Sequence, residues 1–166
     1  AGFPQGVDPG LSDRDPAAYR AVLQATNGID TILSCNNVSF VTLDGLTLTG
    51  ASPSTSGGYG AGGALNCSSG SHDINVNRCK FVGNHAPNRY AGGMNVYYAS
   101  ASVTDSIFDG NSSKIGAGIH VHLGTLNVSR SVFTNNESSD FGTGISDYDS
   151  PLTVDRCYFA DNAVTG

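Results

Sequence analysis

His120-Val121-His122 sets two imidazoles two residues apart, and on an extended strand such residues project from one face. A pair like this can hold a metal ion or serve acid-base work. Neither a third histidine nor a cysteine falls in register with it, so no metal site and no cofactor is expected. Tyr97 and Tyr148 stand in the same frame one repeat before and one repeat after, with Asp147 and Asp149 beside the second. Aromatic faces flanked by carboxylates suit sugar rings, which offer apolar C–H faces and hydroxyl rims. Tyr97, His120, His122, Tyr148, Asp147 and Asp149 therefore form a candidate carbohydrate-binding stripe on an outward strand face. The competing reading is a row of solvated strand residues.

Two further sets of residues carry covalent chemistry. Cys35, Cys67, Cys79 and Cys157 fit no C-x-x-C pattern, and four cysteines allow three disulfide pairings. Cys35 lies roughly one period before Cys67, in the equivalent strand of the preceding coil, which makes that pair the disulfide candidate. Cys79 and Cys157 share a repeat position three coils apart, about 15 Å, beyond the roughly 7 Å that a disulfide spans between Cα atoms. Sequons stand at Asn37, Asn66, Asn111, Asn127 and Asn136, and they point to an extracellular or cell-surface protein. Asn127, Asn66 and Asn37 rank ahead of Asn111 and Asn136 as glycan acceptors, for a reason the repeats supply.

Those repeats are what must position every candidate. Cys79-Lys80-Phe81, Ser106-Ile107-Phe108, Ser131-Val132-Phe133 and Cys157-Tyr158-Phe159 share one frame, their phenylalanines 27, 25 and 26 residues apart. Glycine doublets or G-x-G recur in the same rhythm at Gly62-Gly63, Gly92-Gly93, Gly116-Ala117-Gly118 and Gly142-Thr143-Gly144. A period of this size without a helical pattern indicates a stack of coils. Before each phenylalanine the apolar residues alternate, as in Ile74 and Val76 or Leu126 and Val128, which is a strand with one buried face. A second strand follows each glycine pair, for two or three strands per coil. Leu43 to Gly50 fits the frame with Leu48 in the phenylalanine position, giving about five coils.

The expected fold is all-β, a parallel β-helix of about five coils whose core is built from axial columns. Phe81, Phe108, Phe133 and Phe159 form an aromatic stack, and Asn84, Asn111, Asn136 and Asn162 an asparagine ladder. An amide in a buried ladder cannot carry a glycan, whereas Asn127 and Asn66 alternate with inward residues and should point to solvent. Asp15 to Ala25, with Pro16 at a first-turn position, predicts a short capping helix. Residues 1–28 thus read as an N-terminal segment with that helix, and 29–166 as the repeats.

The pattern over about residues 30–166 resembles the right-handed parallel β-helix, or pectin-lyase-like, superfamily, and specifically the G-G-A-I … F-x-x-N repeats of polymorphic outer-membrane-protein and related surface proteins. That resemblance implies a solenoid that often binds polysaccharide in a groove. It also implies, for the lyases, aspartates holding Ca²⁺ beside a basic residue, and for the hydrolases several closely spaced aspartates. Neither set is complete here. Asp147-Tyr148-Asp149 comes nearest, but Arg78, Arg130 and Arg156 fall on a different strand of the coil, so no catalytic residue is assigned.

A net charge of -6 with eight scattered basic residues excludes an electrostatic footprint for nucleic acid. No apolar run approaches the roughly 20 residues of a membrane helix, so no membrane insertion is expected. The segment Asn162 to Gly166 brings the chain to the point where another coil would start, so the coil ends are expected to self-associate head-to-tail. The functional expectation is an extracellular structural or adhesive glycoprotein, a rod that polymerises into filaments. The alternative is a polysaccharide-acting lyase or hydrolase, or a carbohydrate-binding module without catalysis.

Overall fold

The computed structural model describes residues 21–26, 31–52 and 62–166. Its strands are short and wind in layers. The first, β1 (Ala21–Gln24), is followed by a coil of β2 (Leu33–Asn36), β3 (Thr42–Asp44) and β4 (Leu46–Thr49). The next is β5 (Leu65–Ser68), β6 (Ile74–Asn77), β7 (Lys80–Val82) and β8 (His85–Tyr90), then β9 (Met94–Tyr97), β10 (Ser100–Thr104), β11 (Ile107–Asp109) and β12 (Ser112–Ile115). Two more coils follow, β13 (Ile119–His122) to β16 (Glu137–Phe141) through β14 (Thr125–Ser129) and β15 (Val132–Thr134), and β17 (Ile145–Tyr148) to β20 (Ala163–Val164) through β18 (Leu152–Asp155) and β19 (Tyr158–Ala160).

Every coil position pairs in parallel with the same position of its neighbours, which makes a β-solenoid of about five turns. Four sheets result: the glycine-led sheet (β2, β5, β9, β13, β17), the alternating sheet (β3, β6, β10, β14, β18), the phenylalanine sheet (β1, β4, β7, β11, β15, β19) and a fourth of β8, β12, β16 and β20. The fourth is one more strand per coil than the alternation predicts. Its strands carry a register shift between Ser113 and Ile115, and an irregular strand leaves no period-two signature.

Ala21–Gln24 is a strand, not the end of a helix; Asp15 to Arg20, the rest of the predicted cap, lies outside the described residues. Leu23 pairs with Leu48 and extends its column by one layer. Helix propensity here loses to ladder pairing, because the edge of β4 offers a row of unmatched backbone groups. The solenoid therefore takes in residues before position 29.

The core is columnar, as the repeats require. Leu23, Leu48, Phe81, Phe108, Phe133 and Phe159 are in direct register. Ring centroids are 4.6 Å apart for Phe81 and Phe108, and 4.8 Å for the two pairs that follow. The glycine rhythm has its reason here: a Cβ on Gly93 would lie 2.8 Å from the Phe108 ring, and one on Gly118 2.9 Å from that of Phe133. Each glycine of this position is the hole into which the next phenylalanine fits.

Asn84, Asn111, Asn136 and Asn162 form the ladder. Each amide nitrogen donates to the next amide oxygen, at 2.9, 3.1 and 2.9 Å. The same nitrogens donate to the carbonyls of Leu48, Phe81, Phe108 and Phe133, so the buried amides are satisfied on both sides. Corners are turned by single left-handed residues, notably Arg78, Asp105, Arg130 and Arg156 at one corner and Asn37, Ser69, Tyr98, Leu123 and Asp149 at another. Between neighbouring coils their charges pair, Arg78 with Asp44 and Arg130 with Asp105.

Candidate functional site

The glycine-led sheet brings the candidate stripe together in the register its alternation predicts. One outward row is Ser34, Asn66, Asn95, His120 and Ser146; the next is Asn36, Ser68, Tyr97, His122 and Tyr148. Asp147 departs from the expectation. It pairs with Val121 in the row of Cys35, Cys67 and Val96, so its register is that of the inward column, yet it is exposed and lines one cavity with His120, His122 and Tyr148. Asp149 sits on a left-handed corner.

Two corrections concern how the outward rows meet solvent. The first is burial: Asn95, His120, His122, Ser68 and Ser146 are nearly inaccessible, His120 at 2% exposure. What covers the later coils is the fourth sheet, where Tyr90, Ile115 and Phe141 share one register position and lie over the row. The Tyr90 ring stacks on His120 with centroids 4.7 Å apart. A sequence signal for this roof exists, since each of the three residues stands one or two places before a glycine doublet or G-x-G.

The second is ring orientation. Tyr97 and His122 lie 5.2 Å apart, tilted by 30°, and His122 and Tyr148 4.7 Å apart, within 7° of parallel. The rings face one another along the axis, so the stacking surfaces offered to a sugar chain are largely spent on each other. Tyr148, 60% exposed, keeps an outer face.

The electrostatics follow from the cover. Burial, and then the neighbouring His122, push the His120 imidazole down to about 4. Burial also lowers His122, opposed by the Asp149 carboxylate. Both side chains are neutral near pH 7. His120 Nδ1 is 3.3 Å from Ser146 Oγ, and its Nε2 has no hydrogen-bond partner among the described residues. Among the described residues no group of three or more His, Cys, Asp or Glu could hold a metal ion.

The remaining candidates sort by exposure. Asn127 and Asn37 are exposed. Asn66, expected in solvent, is half-buried and its amide oxygen accepts from Asn95 at 2.9 Å. Asn111 and Asn136 are fully buried in the ladder. Cys35 and Cys67 are in register on neighbouring strands, and both are free thiols. The hydrogen bond from Cys67 holds the Cys35 thiol down at about 7, and the same contact with burial pushes Cys67 up. Cys79 and Cys157 begin and end a column with Ser106 and Ser131, and Ser106 Oγ accepts from the Cys79 N–H at 3.1 Å.

No family model, no curated protein and no solved structure matches this chain.

Proposed function

We propose that the chain is a structural or adhesive rod of the cell surface or extracellular space, a right-handed parallel β-helix akin to the surface-protein repeats its motifs resemble. One observation carries this reading: the phenylalanine, asparagine and valine columns run unbroken through successive coils, so each coil is both the seat and the cover of its neighbours. A solenoid of this kind is stiff, because bending it would break whole columns at once.

The proposed rods associate through coil ends and carry glycans on Asn127 and Asn37, the two sequon asparagines that are exposed. In the last coil Phe159 and Val154 are 45% and 44% exposed, and a further coil would cover them as Phe133 and Val128 are covered. Where that coil belongs to a second copy, the contact is heterologous and yields a filament. Electron microscopy of the native material at neutral pH should show fibres layered at about 4.8 Å; dispersed particles would overturn the filament.

A second reading, carbohydrate recognition, is favoured by the free outer face of Tyr148 beside Asp149. Replacing Tyr97 and Tyr148 by Ala should abolish retention on glycan supports, and unchanged retention would sink it.

A further inference from the structure

Where the fourth sheet lies over the glycine-led sheet, the wall of the solenoid becomes double, and the two layers do not close completely. Between Phe141 and Tyr90 on the roof and His120, His122 and Tyr148 on the floor is a cavity of about 180 Å³. At about 30 Å³ per water it has room for roughly six waters. That is the scale of one six-membered ring with a substituent, and too little for a polysaccharide chain lying along the axis.

Its walls define what such a ring must be. Five aromatic or imidazole rings line it, so the occupant should be flat and apolar over most of its surface. Both imidazoles are neutral near pH 7, and the charged side chain on the lining is Asp147, an exposed carboxylate that disfavours an anionic ligand, a phenolate included. The titratable groups that face it or act on it are Tyr90, His120, His122, Asp147, Tyr148 and Asp149. A purely apolar ring would leave His120 Nε2 without a partner, at the usual cost of an unmatched buried polar atom. A pyranose errs the other way, burying several hydroxyls against ring walls with too few partners. One hydroxyl suffices, and because a hydroxyl both donates and accepts it serves either tautomer of His120.

We propose that this cleft binds a single neutral phenolic ring, its hydroxyl hydrogen-bonded to His120 Nε2 and its faces held by the aromatic walls. The ring could be offered by a small phenol or by a tyrosine side chain of another protein, and the chemistry of recognition is the same.

Titration calorimetry with p-cresol and toluene separates the hydroxyl from the ring. The proposal expects p-cresol to bind about tenfold more tightly, the value of one hydrogen bond near 1.4 kcal/mol. His120→Phe should erase that preference. Phe141→Ala, at a position 60% exposed, should weaken both ligands about tenfold with the unfolding midpoint unchanged, and it keeps the test alive if the His120 variant does not fold. N-acetyltyrosinamide binding as well as p-cresol would support the proposal with a protein tyrosine as source; its exclusion while p-cresol binds would support it with a small phenol. Equal affinity for p-cresol and toluene, a preference surviving His120→Phe, or methyl glucoside binding more tightly than p-cresol would each overturn it.

Discussion

Two sets of stacked rings run along this solenoid at nearly the same spacing, Phe81 to Phe159 inside and Tyr97, His122 and Tyr148 on the glycine-led sheet. The inner set repeats the same residue in four successive coils, and three of the four fill a hole left by a glycine, Phe108 at Gly93, Phe133 at Gly118 and Phe159 at Gly144. The other set changes at every coil, from Asn36 through Ser68 to Tyr97, His122 and Tyr148. A column of identical residues meets the needs of a fold, because every layer sees the same neighbours. A row that differs in each coil makes one place unlike any other, and a cleft with an unmatched imidazole nitrogen sits at that place.

The contrast breaks first at the holes. Gly118→Ala sets a methyl 2.9 Å from the Phe133 ring and against the backbone oxygen of Gly144, which should cost about 3 kcal/mol in urea unfolding. Asn111→Asp removes the donor to Phe81 O and Asn136 Oδ1 and leaves a buried carboxylate facing both. About 2–3 kcal/mol should go, and a loss below about 0.5 kcal/mol would mean that the ladder is incidental.

In the neighbouring row of the same sheet, that of Asn95, His120 and Ser146, the lever is pH. His120 is held neutral, its folded value near 4 against 6.5 unfolded, so between those values the unfolded chain binds more protons. Stability should fall as pH drops from about 6.5 towards 4, by up to about 2–3 kcal/mol, and His120→Gln should flatten that decline. The smallest effect is expected at the corner pairs. Arg130→Ala breaks an ion pair whose partners are both 45% exposed, and the unfolding midpoint should stay within error of the parent.

How legible each part was follows from what a sequence period can encode. Phenylalanine and asparagine columns are visible because an in-register parallel stack converts a sequence interval directly into vertical contact. The same interval says nothing about side-chain torsions, so the row of Tyr97, His122 and Tyr148 was readable while the turning of its rings toward one another was not. The roof was hidden because His85–Tyr90 contains Pro87 and its strands shift register, leaving only the large residues ahead of Gly92, Gly116 and Gly142 as a trace. Ala21–Gln24 misled through intrinsic propensity, since what made it a strand is the edge of β4, more than twenty residues away in the chain.

The most direct test of the account is a matched pair of unfolding free energies, Phe133→Ala beside Tyr148→Ala. Phe133 is fully buried and Tyr148 is 60% exposed, although both belong to ring stacks of one spacing. The account predicts a loss of about 4 kcal/mol for the first and less than about 0.5 kcal/mol for the second. Equal losses would contradict it, since the changing row would then be holding the coils together as firmly as the repeated column.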